Sequence, residues 1–338
     1  GTNSNTIIYG SSTNASVQLN RDSSASFLTE TITPTVVGVS GDIHNSISAF
    51  DSNNIFISYN DYDNSKLNFA KSTNGGASWA TSTINTNNVG QWNSISTIGT
   101  STIFVSYYHA PTLYFAKSTN GGASWTNSTV DSGNNVGQFS SIKATDVDTI
   151  FISYFDDTND DLVLATSTNS GTSWATSTVA SAGNIGWFSD IAATDSNNIF
   201  INYQDGANYN LLVATSSNSG SSFTTSTISG VGGVSTKNDS IFAINSSTIY
   251  VSYYADTDLY FAKSTNSGAS WTNLTVDSGG TVGQYSSISA TDSNNIFISY
   301  FDGTNTNLNF AKSINGGTSW ATSTIDNSAG EVGRFTSI

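Results

Sequence analysis

STNGGASW, residues 72–79, gathers Ser, Thr, Asn and Gly and then ends on a Trp. Alone it reads as a turn before a strand, because Asn and Gly tolerate left-handed backbone and Ser and Asn hydrogen-bond to their own main chain. It is not alone. It returns as STNGGASW at 118–125, STNSGTSW at 167–174, SSNSGSSF at 216–223, STNSGASW at 264–271 and SINGGTSW at 313–320. The starts are 46, 49, 49, 48 and 49 residues apart, and a nearly fixed spacing of that size marks an array of one small unit.

The unit is written out in residues 282–325. Four β runs, QYSSISA, NIFISYF, LNFAKS and SWATSTI, are separated by clusters of Asp, Ser, Asn and Gly, which predicts a four-stranded antiparallel meander. The second run is almost continuously apolar in every copy: IFISY at 55–59, IFVSYY at 103–108, IFISYF at 150–155, IFINY at 199–203, IYVSYY at 249–254 and IFISYF at 296–301. A strand apolar on both faces must be covered on both, as happens when four-stranded sheets stack face to face around an axis. The expected fold is therefore an all-β propeller. Solenoids of this period are mostly helical and a parallel β-helix has shorter coils, so both fit badly.

Six copies carry the terminal aromatic, and matching the two chain ends suggests a seventh. EVGRFTSI at the end resembles only a first strand, while NTIIYG, ASVQLNRD and SFLTETI near the start align with the other three. The expectation is a single seven-bladed domain over 1–338. Its seventh blade would combine 5–32 with 332–338, and six further blades would span about 36–84, 88–130, 135–179, 184–228, 234–276 and 282–325. The ring would close by pairing the N-terminal strands with the C-terminal strand.

Composition narrows the partners. The formal charge is −15, from 9 Lys and Arg against 24 Asp and Glu, so nucleic acid and anionic membrane surfaces are poor partners. Absence of Cys excludes a disulfide framework and thiolate metal sites. A chain without Met that begins on Gly is expected to be a processed or excised segment. No apolar run approaches the roughly 18 residues a membrane helix needs, so membrane insertion is not expected.

The recurring box resembles the Asp-box, or bacterial neuraminidase repeat: Ser or Thr, any residue, Asp, any, Gly, any, Ser or Thr, then Trp or Phe. It departs at one position, where Asn74, Asn120, Asn169, Asn218, Asn266 and Asn315 replace the Asp. The resemblance implies a structural hairpin between third and fourth strands, on the edge away from the ligand face. Trp79, Trp125, Trp174, Phe223, Trp271 and Trp320 would then fold between sheets. It also implies a fold shared by sialidases, xyloglucan-cleaving glycosidases, sortilin-type receptors and photosystem assembly factors, which leaves activity open. Sialidases use three arginines around the substrate carboxylate; only Arg21 and Arg334 exist here, which speaks against that activity.

Candidate sites lie on the opposite face. The second-to-third strand loops gather many Asp residues, which tight turns alone would explain. Asp157, Asn159 and Asp161 also alternate as oxygen ligands do in calcium loops, making calcium the one candidate cofactor. A pair of carboxylates could equally serve a glycosidase, but nothing selects the pair. At the channel entrance, aromatics precede the first-strand Ser-Ile in most repeats. His44, Trp92, Trp187, Asp190, Lys237, Tyr285 and Arg334 are the candidate ligand residues, several of them departures from the repeat. Aromatic faces beside amides and carboxylates suit sugar rings. No catalytic residue stands out.

These residues together suggest a secreted or cell-surface binding or structural module: an adhesin, a lectin-like domain or a unit of a surface assembly. Its partner would be a glycan, another surface protein or further copies of itself. The alternative is a glycan-active hydrolase on the same fold. An enzyme requires a cleft with a carboxyl of raised pKa, whereas a scaffold requires only shallow surfaces.

Overall fold

The computed structural model describes residues 44–61, 64–87, 90–181, 183–229, 239–328 and 330–338, together with the backbone strands Thr6–Ser11, Ala15–Asn20 and Phe27–Thr31. Six sheets of four consecutive antiparallel strands stack as blades, here numbered I (45–85), II (91–131), III (136–180), IV (185–229), V (240–277) and VI (282–326). The first strands line the channel and touch one another; the fourth strands form the rim, where Ala175–Ala180 is largely exposed.

The second strand is buried on both faces, as its composition demands. In blade III, Ile150 to Phe155 are all at most 1 % exposed. Ile150, Ile152 and Tyr154 join a core that takes Phe104, Leu113 and Phe115 from blade II and Ile142, Val163 and Ala165 from blade III, while Phe151 joins the next core, with Ile191, Ile199 and Ile201 of blade IV. Each core therefore lies between two blades, not within one.

The box is the hairpin between third and fourth strands, and its wiring is identical in the six blades. In blade I, Ser72 Oγ donates to Asn74 Oδ1 at 2.9 Å, and the same oxygen takes the Ser78 amide at 2.9 Å. Asn74 Nδ2 donates to Ser78 Oγ at 2.9 Å, while Ser72 Oγ accepts the Gly76 amide at 2.7 Å. The Asn amide thus uses both its acceptor and its donor, and the turn stays uncharged.

The last box residue packs on the preceding blade. Trp125 meets Phe69 edge-on at 5.1 Å, Trp174 meets Phe115 at 5.1 Å and Trp320 meets Phe261 at 5.1 Å. At two interfaces the indole is also latched: Trp125 Nε1 donates to Ser82 Oγ at 3.2 Å, and Ser82 Oγ donates to the Gly122 carbonyl at 2.7 Å. Trp271, Ser226 and Gly268 repeat this arrangement. In blade V the equivalent residue is Leu274, and Trp320 Nε1 is buried without a partner. Ser82→Ala is expected to cost about 2 kcal/mol, because it leaves the Trp125 N–H and the Gly122 carbonyl unpaired. Chemical denaturation of the wild type and variant measures it; a difference within experimental error would show that the latch contributes nothing.

The expected count of seven blades is corrected to six, and closure of the ring by pairing of the chain ends is withdrawn. Strand Val332–Ser337 does enter the wall between blades VI and I. Val332 packs with Phe297, Leu308 and Phe310, and Ser337 Oγ accepts the Ile47 amide at 3.2 Å. The Thr6–Ser11 backbone runs antiparallel beside it, followed by Ala15–Asn20 and Phe27–Thr31. That pairing holds only three register pairs, shifted between each, against six between the first two strands of blade III. The physical reason is legible in RDSSASF (21–27), which has neither the Asn nor the Gly that wires the box. The strand pattern recurs there without the sequence of the box.

Candidate functional site at the channel mouth

A β-bulge near the start of the first strand builds the site. In blade III the register with the second strand slips between Gln138 and Ser141, and the equivalent slips occur at Gln91/Ser94, Trp187/Asp190 and Gln284/Ser287. The bulge places an aromatic residue in left-handed backbone, Trp92 at φ 45°, Phe139 at 54°, Phe188 at 52°, Tyr285 at 54° and Phe335 at 53°. Such dihedrals are uncommon outside Gly, and a bulge is a usual way to re-aim a side chain.

The re-aimed rings form a collar. His44 meets Trp92 at 5.5 Å and Phe335 at 5.3 Å; Trp92 meets Phe139 at 5.0 Å; Phe139 meets Phe188 at 4.4 Å; Phe335 meets Tyr285 at 4.5 Å. Neighbouring rings are tilted by 47–58°. His44, Trp92, Phe139, Phe188 and Phe335 line a cavity of about 160 Å³ with a floor of hydroxyls and the carboxylates of Asp190 and Asp239, and among the described residues blade V adds no ring to it. The residue after each ring anchors it to the previous blade: Ser140 Oγ donates to the Trp92 carbonyl at 2.8 Å, Ser189 Oγ to Phe139 at 3.1 Å and Thr336 Oγ1 to Tyr285 at 2.7 Å.

One residue deeper, a belt of side chains stitches the blades. Ser46 Oγ accepts the Ile95 amide, Ser94 that of Ile142, Ser141 that of Ile191 and Ser287 that of Ile338, all at 3.2–3.3 Å. Asp190 takes the serine's place at one seam, where its Oδ2 accepts the Ile241 amide at 3.0 Å. The Ser141 and Ser240 hydroxyls and the Ile191 amide also donate to it. Burial pushes the Asp190 carboxyl above the usual range, and these four donors oppose the shift. Burial lowers the Lys143 ammonium, which the Asp190 charge counteracts.

The repeat breaks around blades IV and V. Where other blades pair hydroxyls behind the collar, Ser153 with Ser189 and Ser252 with Ser286, this seam carries Asn202, Gln204 and Asp239. Gln204 Nε2 donates to Asp239 Oδ2 at 2.7 Å. Asp239 is 4 % exposed and Asn202 is 0 % exposed, yet Asp239 Oδ1 and both polar atoms of the Asn202 amide lack a partner. Burial pushes the Asp239 carboxyl up to about 7, with the Gln204 and Tyr254 hydrogen bonds only partly opposing it.

Of the residues expected at this mouth, His44, Trp92 and Tyr285 are in the collar and Asp190 is in its floor. Trp187 stands outside the cavity, its ring against Phe155 at 6.2 Å and Phe139 at 6.4 Å. Arg334 turns away to Glu331 at 2.8 Å and lies over the Phe301 ring. Lys237 lies outside the described residues. The sequence reading missed Phe139, Phe188 and Phe335 as ligand-facing, and it missed Asp239, Asn202 and Lys143. Comparing second strands would have exposed Asn202, since the other five blades carry Ser there.

Asp157, Asn159 and Asp161 are drawn apart by turn chemistry. Asn159 Nδ2 donates to Asp156 Oδ2 at 2.8 Å, Asn135 Nδ2 donates to Asp157 Oδ2, and Asp161 pairs in register with Asp156. Among the described residues no three His, Cys, Asp or Glu side chains gather as a metal set, and no helix is long and apolar enough to cross a membrane. The boxes sit at the far end of the blades beside the first-to-second strand turns, as the Gly75 amide bonded to the Asn53 carbonyl shows.

No family model and no curated protein matches the sequence. Solved structures do match in shape. YCF48 from Cyanidioschyzon merolae superposes with a TM-score of 0.52 at 15 % identity, covering 85 % of this chain and 87 % of that one. A GH74 xyloglucanase from Xanthomonas campestris gives 0.57 at 14 %, over 82 % of this chain and 44 % of that one. A Hadza microbial sialidase gives 0.53 at 14 %, over 85 % and 71 %. At such identities the likeness is one of fold, and it places the chain among propellers of this shape.

Proposed function

We propose that this propeller engages a carbohydrate at the mouth of its channel. The carrying observation is the collar of half-buried aromatic rings over a floor of hydroxyls and carboxylates, the surface on which sugar rings stack and hydrogen-bond. Two shape neighbours, the xyloglucanase and the sialidase, are glycan-directed by name, which supports a glycan as ligand. The role is that of an extracellular binding module on a secreted or surface protein, with self-assembly or a protein partner as the further reading of its repeated rim.

One observation favours a second reading, glycan cleavage. The Asp239 carboxyl, raised to about 7, retains its proton near neutral pH as a general acid must, and Asp190 lies in the same floor.

A glycan array probed with calcium and with chelator, alongside assays for new sugar ends, tests these readings. Binding without cleavage, weakened at least tenfold by Trp92→Ala in a folded protein, is the expected result. Cleavage lost in Asp239→Asn would replace the binding role with an enzymatic one, and silence throughout would remove the carbohydrate.

A further inference from the structure

Asp239 Oδ1 is a buried carboxylate oxygen without a hydrogen-bond partner, on a residue that lines a ring-walled cavity. Its companion oxygen is held by Gln204. The other floor carboxylate is differently placed, since Asp190 has four donors and feels the charge of Lys143. An unpaired carboxylate in such a place is costly without a counter-charge, and the described lumen supplies none to Asp239.

The walls favour the same kind of guest. Rings 4.4 to 5.5 Å apart line this cavity on the side away from Asp239's blade, and aromatic faces attract a cation held close to them. Trp, the best of the rings for this, is present as Trp92. Among the described residues no three His, Cys, Asp or Glu side chains gather to hold a metal ion. A volume of about 160 Å³ takes a substituted ammonium group but not a whole oligosaccharide.

We infer that the group inserted into the collar is an organic ammonium, and that the glycan recognised at the mouth carries it: an amino sugar whose nitrogen is positively charged, not acetylated. The ammonium sits within the collar, where its charge favours the ionised form of the Asp239 carboxyl that burial opposes, and the remaining sugar units spread over the exposed ring edges. This inference rests on the carbohydrate reading above for the sugar, and on the cavity alone for the charge.

Calorimetric titration of the whole chain at pH 7 separates the two parts. The probes are glucosamine hexamer, its fully N-acetylated form, glucose hexamer and tetramethylammonium chloride. The glucosamine hexamer is expected to bind at least tenfold more tightly than either neutral hexamer, with tetramethylammonium competing against it, and Asp239→Asn is expected to erase the preference. Equal binding of the neutral hexamers overturns the ammonium inference while the carbohydrate reading stands. Tetramethylammonium binding with every hexamer silent removes the carbohydrate and keeps the cation site; silence of all four removes both. The wild-type comparison decides the matter even where the variant fails to fold.

Discussion

Gly122→Ala is expected to destabilise the protein by about 4 kcal/mol, although it adds one methyl group to a surface hairpin. Two costs combine. Gly122 has φ 86°, a conformation that costs a residue with a Cβ about 1–3 kcal/mol. A Cβ built there also falls inside the Phe69 ring of the preceding blade, and overpacking of a tight core costs about 1–3 kcal/mol more. Gly171 against Phe115 and Gly317 against Phe261 meet the same obstacle. The steric part is separable: trimming the ring with Phe69→Leu should make the double variant more stable than the sum of its parts by about 1 kcal/mol or more. Strict additivity in denaturant unfolding would refute the inter-blade account and leave only the backbone.

The second large effect depends on pH. Burial raises the Asp239 carboxyl from the ordinary 3.8 to about 7. Between these values the folded protein holds a proton that the unfolded chain has lost, so stability falls as pH rises from about 4 to about 7 and levels off above. Three pH units at about 1.4 kcal/mol each set an upper bound of about 4 kcal/mol for this group. Asp239→Asn removes the ionisation while keeping an oxygen for Gln204. The variant is therefore expected to match the wild type near pH 4 and to exceed its unfolding midpoint clearly at pH 8, without ligand. Parallel midpoints across that range would mean that Asp239 is solvated in solution.

What could be read in advance divides along physical lines. The second-strand runs such as IFISYF advertise burial on both faces, and the six boxes advertise hairpins, so the propeller and its strands were legible from local pattern. The number of blades was not, because matching segments counts strands, whereas a blade requires a hairpin and a core on each face. RDSSASF follows the strand pattern but lacks the Asn and the Gly of the box. At the mouth, Trp92 and Asp190 could be found as residues in or out of step with the repeat. The collar as a whole could not, because the bulge that turns Phe139 and Phe188 inward is a property of register. Trp187 misled for the same reason: one position before the ring, it faces the neighbouring blade. The Asp239 site arises where three chain segments meet, and its meaning lies in an oxygen that nothing satisfies.

The belt of serines has a bearing on how such a chain comes to exist. At several seams a unit holds the hydroxyl that its neighbour's isoleucine amide needs, as Ser46 does for Ile95 and Ser94 for Ile142. A duplicated copy therefore arrives already fitted to such a sibling, and mutation is free to diversify the loops so long as an acceptor is preserved. Asp190 records one such experiment, in which a different side chain inherited the place and went on accepting the same amide.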